Sequence, residues 1–307
     1  WYTHSIRLTP MKKTLLAYYH LLRPREYLFF TLTYTLLGAA ATQSPFGWRW
    51  VLVFLANFFA VAFAFVFNQI TDAPLDALSE SDSAVRNPIA TGELSFTISQ
   101  ICAVTLFVIS IILYAFLGWK TLLAGLLTLA IGALYSWGGL RLKGIALLDL
   151  SAHCWLLATP VFLAGFFAQK SYSGSTLSFL LPFVLFISLF GQLTHESRNI
   201  PKLGLAQPQH SVLIHQRSRV HLLMMIFLGI GSICGVIALF IQQVIPIWVT
   251  FLWFLLSCIL ILPSLIRTAR NPNTFYPQPA LHTELEKAAA YALLANILAE
   301  ILIRIIH

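Results

Sequence analysis

Residues 50–76 read WVLVFLANFFAVAFAFVFNQITDAPLD. As far as Phe67 the stretch is apolar apart from one amide, Asn57, and approaches the roughly 20 residues that a helix needs to cross a bilayer. Its character then changes. Asn68, Asp72 and Asp76 follow at intervals of four, the spacing that aligns side chains along one face of a helix. A membrane span that ends in an acidic segment is the feature around which the rest of the chain is read.

Eight further apolar runs match the first. The predicted spans are 26–43, 50–68, 96–117, 120–137, 147–168, 175–193, 221–242, 245–267 and 284–305. Gly118 and Trp119 break the chain between the third and fourth, which predicts a tight hairpin. The last run carries Glu284, Glu286, Lys287, Glu300 and Arg304. Of the 307 residues, 58% are hydrophobic and 10% charged, too few charges to cover a soluble domain of this length. The expected fold is therefore an all-α integral membrane bundle of nine transmembrane helices. Residues 1–25 form an N-terminal cytoplasmic tail and residues 26–307 a single transmembrane domain.

The net charge of +8 does not indicate nucleic acid, because the basic residues lie between apolar runs and form no dense patch. Cys102, Cys154, Cys234 and Cys258 occupy four different runs, without the close spacing of a zinc or redox pair, and read as small buried hydrophobes. With the N-terminus in the cytoplasm, only Arg49, Lys120, Lys170 and Arg304 of the 19 Lys and Arg fall on the far side. That bias predicts a multi-pass protein of the cell membrane with its two long loops, near 69–95 and 194–220, facing the cytoplasm. Long loops between packed elements usually carry function.

The first long loop holds Asp72, Asp76, Glu80, Asp82 and Glu93, five of the chain's 11 acids. Hard oxygen donors at the Asn68, Asp72, Asp76 spacing suit Mg²⁺, which binds through one or two carboxylates plus phosphate oxygens and water. The same residues also fit a solvated acidic loop carrying a helix cap, and Pro74 counts against a regular helix there. Arg86 offers a guanidinium to a phosphate oxygen beside such a metal. Pro88 and Gly92 read as turn residues, and Ser95 as the N-cap of the next helix.

Taken together, Asn68–Asp76, Arg86-Asn87-Pro88-Ile89 and Thr91-Gly92-Glu93-Leu94-Ser95 resemble the first signature region of the UbiA superfamily of intramembrane prenyltransferases. Leu22-Arg23-Pro24 is similar to that family's amino-terminal Arg-Pro, and Tyr135-Ser136 with Leu140-Arg141-Leu142-Lys143 to its Tyr-Ser and Arg-Leu-Lys segment. The resemblance implies a bundle around a central cavity open to lipid. It also implies transfer of an isoprenoid chain from a prenyl diphosphate to a lipophilic, in some members aromatic, acceptor. Asp72 and Asp76 would then hold Mg²⁺ with help from Asn68. Arg86, Arg141, Lys143, Arg198 and Lys202 would contact the diphosphate, and Tyr135 and His195 would orient substrate.

The second long loop departs from the family pattern. Its Glu-x-Arg-Asp-x-x-x-Asp is here Glu196-Ser197-Arg198-Asn199-Ile200-Pro201-Lys202-Leu203. Glu196 and Asn199 can still offer oxygen to a metal, whereas Leu203 cannot. Gln69 likewise replaces the aspartate expected after Asn68. These changes leave open a terpene cyclase, in which the cation closes on itself, and a non-catalytic prenyl-lipid binder or transporter. His195 also reads as an interfacial histidine without a proton to move, and His153 as a helix-bridging one. The 24 Phe, 10 Tyr and 8 Trp supply cavity lining, and Gly231 with Gly235 predicts a close helix contact.

Overall fold

The computed structural model of the chain describes residues 10–78, 87–139, 142, 152, 157–199, 217–270 and 281–306. Apolar runs this long have no partner for their backbone polar groups in lipid, so each must satisfy them internally as a helix. Ten α-helices result among the described residues: α1 (Pro10–Leu22), α2 (Pro24–Ala40), α3 (Trp48–Asp76), α4 (Phe96–Leu117), α5 (Trp119–Ser136), α6 (Thr159–Phe167), α7 (Leu177–Asn199), α8 (Arg217–Val236), α9 (Ile247–Arg270) and α10 (Leu281–Ile306). A π-helical turn, Ile237–Ile241, extends α8.

The expected count of nine spanning helices is not reached among these residues. Six helical stretches are long and apolar enough to cross a membrane: Trp48–Asp76, Phe96–Leu117, Trp119–Ser136, Gly174–Thr194, Leu222–Ile241 and Thr283–Ile306. The other three predicted spans contain shorter helices. α2 has 17 residues, α6 has 9, and the apolar part of α9 is Ile247–Pro263. The protein is nonetheless a multi-pass membrane protein. Large apolar side chains such as Ile101, Val104 and Phe116 on α4 and Phe251, Phe254 and Leu255 on α9 lie on its outer surface, where lipid is the solvent.

Two boundaries differ from expectation for local reasons. Part of the segment expected as a tail forms α1, which packs on α3 through the buried Ala17 and Leu21. Arg23 adopts a left-handed conformation (φ 51°, ψ 43°) and ends α1, while Pro24 opens α2 at a position where its missing N–H costs nothing. The second difference is α3, which does not stop at Asn68 but runs through Pro74 to Asp76. The hairpin between α4 and α5 forms as expected, turning at Gly118 with φ 122°, a backbone state that side chains disfavour. Ser95 caps α4 as its sequence suggests, its Oγ accepting from the Ile98 N–H at 3.2 Å.

Small residues set the packing. A Cβ on Gly38 of α2 would lie 2.1 Å from the carbonyl oxygen of Phe162 on α6, and one on Gly165 of α6 would lie 2.3 Å from that of Thr35. The two backbones therefore touch, as close membrane crossings require. Gly231 and Gly235 of α8 instead make room for side chains, those of Ile187 and Phe183 of α7. A buried polar knot pins the centre. Asn57 of α3 donates to Thr35 Oγ1 (2.7 Å) and to the Val161 carbonyl (3.0 Å), and accepts from the Tyr114 hydroxyl (2.6 Å), joining α2, α3, α4 and α6.

Candidate functional site

The extension of α3 gives the acidic segment its geometry. Asn68, Asp72 and Asp76 occupy successive turns of one continuous helix, and all three are half-buried. Pro74 is accommodated on the exposed side of the last turn. The expected face of three oxygen-bearing side chains is thus present, on a helix rather than on a loop.

Neighbouring elements hold Asn68 and Asp76. Ser136, on the last turn of α5, donates its hydroxyl to Asn68 Oδ1 at 2.6 Å. This hydrogen bond brings the Tyr135-Ser136 segment to the acidic helix, with Tyr135 half-buried beside it. Asn87 donates its Nδ2 to Asp76 Oδ2 at 2.9 Å and to the Gln69 carbonyl at 3.0 Å. Its own Oδ1 accepts from the Ile89 N–H at 3.1 Å, an Asx turn that locks the 87–94 segment. Only 2% of Asn87 is exposed, so this amide is committed to its partners.

Sequence reasoning did not assign a site role to Asn87 or Ser136. The Asn-Pro pair signals a turn, but nothing in the sequence shows which carboxylate the amide will reach. Gln69 is the reverse case. It is 3% exposed, turned away from the acidic face, and donates its Nε2 to the carbonyls of His20 (2.8 Å) and Leu21 (3.1 Å). Those are the open carbonyls at the end of α1. An aspartate, which has no N–H to donate, cannot make either bond.

In the second segment, His195, Glu196, Arg198 and Asn199 lie on the last turns of α7, so the helix reaches further than the predicted span 175–193. Their side chains lie outside the described residues. Arg86, Arg141, Lys143, Lys202 and Leu203 also lie outside the described residues. Among the described residues no three His, Cys, Asp or Glu side chains gather as a metal cluster. The acidic face is a pair of carboxylates with one amide oxygen. This donor set fits a hard divalent ion that completes its shell with phosphate and water.

A sequence profile described as the UbiA prenyltransferase family matches residues 27–275. The fold is similar to that of a UbiA homologue from Archaeoglobus fulgidus bound to GPP and Mg²⁺, with TM-score 0.71 and 20% identity over 92% of this chain and 99% of that one. A UbiA homologue from Aeropyrum pernix K1 gives 0.68 at 15% identity, over 90% of this chain and 98% of the other. A structure described as digeranylgeranylglyceryl phosphate synthase in membranes gives 0.63 at 16%, over 94% and 98%. No curated protein matches the sequence.

Proposed function

The chain belongs to the UbiA prenyltransferase family, and from that premise we propose that it is a Mg²⁺-dependent enzyme transferring an isoprenoid chain from a prenyl diphosphate to a lipophilic acceptor. The observation that carries this reading is the Asn68–Asp72–Asp76 face, with Asp76 steered by Asn87 and Asn68 by Ser136. A half-buried pair of carboxylates held this way at the end of a membrane helix suits a charged headgroup whose tail lies in the bundle. The A. fulgidus homologue bound to GPP and Mg²⁺ shares the fold that frames this face.

Asp72, Asp76 and Asn68 would hold the ion, which when bound neutralises charge on the departing diphosphate. Asn87 occupies one oxygen of Asp76, and the other would serve the ion. Ser136 fixes the Asn68 amide by donating to its oxygen. Arg86, Arg141, Lys143, Arg198 and Lys202 would bind diphosphate oxygens from the surrounding segments, where developing negative charge is best met by fixed cations. Glu196 and Asn199 would form a reduced second set, Tyr135 and His195 would orient the acceptor, and the bundle interior would shield the cationic end of the chain from water. The site faces the cytoplasm of the cell membrane.

The test offers purified protein in detergent a panel of prenyl diphosphates with Mg²⁺ and lipid extract, and measures diphosphate release. Release that disappears in Asp72→Ala and Asp76→Ala, and persists in Leu203→Ala, is the expected result. No release from any chain length would overturn the reading. A product list of cyclised hydrocarbon in place of prenylated acceptor would change transfer to cyclisation.

A further inference from the structure

Two acids near the start of α10 stand in different settings. Glu284 pairs with Lys287 at 2.8 Å, and Lys287 also lies 5.9 Å over the Phe29 ring. Glu286 uses only its backbone carbonyl, which accepts from the Thr33 hydroxyl at 2.8 Å. Its side chain makes no hydrogen bond or ion pair among the described residues. It nevertheless lies on the inward face of α10. Ala289, Ala290 and Leu293, which follow at helical spacing on that face, are fully buried, whereas Tyr291, Leu298 and Leu302 on the opposite face are exposed. Glu286 itself is only half-buried. Accessible surface on the packed face of a bundle helix belongs to an opening between helices. Packing that is closed at Ala289 and Ala290 is therefore open one turn earlier. Tyr34, next to Thr33, shares a 2.8 Å hydrogen bond with Ser188 of α7, so this opening lies among α2, α7 and α10.

The length of α2 gives its depth. Gln69 meets the end of α1 at Leu21, just before Pro24 opens α2. Thr33 lies about 14 Å further in, at 1.5 Å per residue. The other end of α10 meets the α2–α3 connection, where Glu300 accepts from the Phe46 N–H, so the amino end of α10 points back toward the acidic face. The Glu286 side chain leans in that direction. It stands in the bundle interior below the acidic face, out of reach of an ion held at Asp72 and Asp76. A carboxyl group at such a depth costs free energy unless a partner meets it, and in membrane bundles such groups mark substrate or ion paths.

We infer that Glu286 binds the acceptor, and that the acceptor presents a free hydroxyl to it. The inference rests on the prenyl transfer proposed above. Of that reaction's components, the ion is held at the acidic face, the diphosphate is an anion that a carboxylate repels, and the isoprenoid chain has no polar group. Each of these leaves Glu286 without a partner. An acceptor hydroxyl donates the hydrogen bond that the side chain lacks, and the carboxylate makes it charge-assisted. Cyclisation, which needs no acceptor, has no use for a carboxylate here. Phenols and glycerol lipids both offer this hydroxyl.

Native mass spectrometry of the full chain in detergent tests this without turnover, using matched pairs at equal mole fraction in the micelle. One pair is a long-chain alkylphenol and its methyl ether, the other a long-chain alkylglycerol and its dimethyl ether. The expected wild-type result is tighter binding of the free-hydroxyl member in at least one pair by about tenfold, the scale of one hydrogen bond to a charged group. The pair that shows it separates an aromatic acceptor from a glycerol lipid. Glu286→Leu should bring that pair to parity. Glu286→Gln, which keeps the volume and a neutral acceptor oxygen, should fall between. A wild-type preference below about twofold in both pairs overturns the inference without any variant having to fold. A preference that persists undiminished in either variant does the same. Diphosphate release, read separately, distinguishes the two failures. Release without a hydroxyl preference removes the acceptor site and leaves prenyl transfer standing. A Glu286-dependent preference without release from any prenyl diphosphate leaves a hydroxyl-lipid site and removes the reaction.

Discussion

Asn87 supports the candidate site through hydrogen bonds to neighbouring groups. Its amide ties Asp76 to the backbone of Gln69 and to its own turn. Partners that orient metal-binding carboxylates typically matter by about 10–100-fold in metal affinity or activity. Asn87→Ala should therefore raise the Mg²⁺ concentration for half-maximal diphosphate release by at least about tenfold, measured by Mg²⁺ titration at saturating prenyl diphosphate. An unaltered Mg²⁺ dependence would reduce Asn87 to a turn former. Gln69 gives the complementary test. Restoring the family's aspartate there removes two N–H bonds to α1 and places a carboxylate against the carbonyls of His20 and Leu21. Gln69→Asp should cost about 3 kcal/mol, from two lost bonds and a buried charge left without a partner. A lowered melting temperature with no added metal binding would bear this out. A second bound Mg²⁺ in that variant would show that residue 69 can turn toward the acidic face.

Helix contacts in this protein are made by small residues and short polar links, since lipid supplies no hydrophobic drive between apolar helices. The Asn57 knot makes three bonds across four helices. At the roughly 0.6 kcal/mol typical of such bonds in membranes, the knot contributes about 2 kcal/mol. Backbone approach is the stricter constraint. At Gly38 the obstacle is the Phe162 carbonyl itself, 2.1 Å from the position a Cβ would take, and backbone cannot rotate aside as a side chain can. At Gly231 the nearest atom is the tip of Ile187, at 2.9 Å, which can move. Gly38→Ala should therefore lower the melting temperature far more than Gly231→Ala, although both add the same methyl group. Thermal unfolding of the two variants in one detergent measures this. Equal losses would mean that α2 can shift along α6 and that the contact between their backbones is not fixed.

At the scale of the whole molecule, the sequence signals that succeeded were periodicity and single turn or cap residues. Apolar runs located the helices, the four-residue spacing placed Asn68, Asp72 and Asp76 on one face, and Gly118 marked the hairpin. Contacts to backbone were invisible, because a carbonyl carries no residue identity. For that reason Gln69 read as a lost aspartate and not as a partner of α1, and Pro74 read as a helix breaker although α3 runs past it to Asp76. The basic residues on the sparsely charged side belong to the same class. Arg49 donates to the carbonyls of Ala168 and Leu117, Arg304 to that of Phe46, and Lys120 to the Tyr172 hydroxyl. Cations committed to helix ends and loops of the folded bundle are structural, which accounts for their presence there against the charge bias. The Lys/Arg asymmetry then rests on residues of the other side, and it predicts that Asp72 and Asp76 face the cytoplasm. Thr91 is exposed in the connection after α3, and Ser173 is exposed in the connection between α6 and α7. Ser173 lies at the end of the bundle where α3 begins, because Ser44 donates its hydroxyl to the nearby Ser171 carbonyl at 3.3 Å and Arg49 holds that of Ala168. In a background lacking the native cysteines, Ser173→Cys should react with a membrane-impermeant thiol reagent in intact cells, and Thr91→Cys only after permeabilisation. Labelling of Thr91→Cys in intact cells, with Ser173→Cys protected, would invert the orientation and place the acidic face outside, where a cytoplasmic pool of prenyl diphosphate could not reach it.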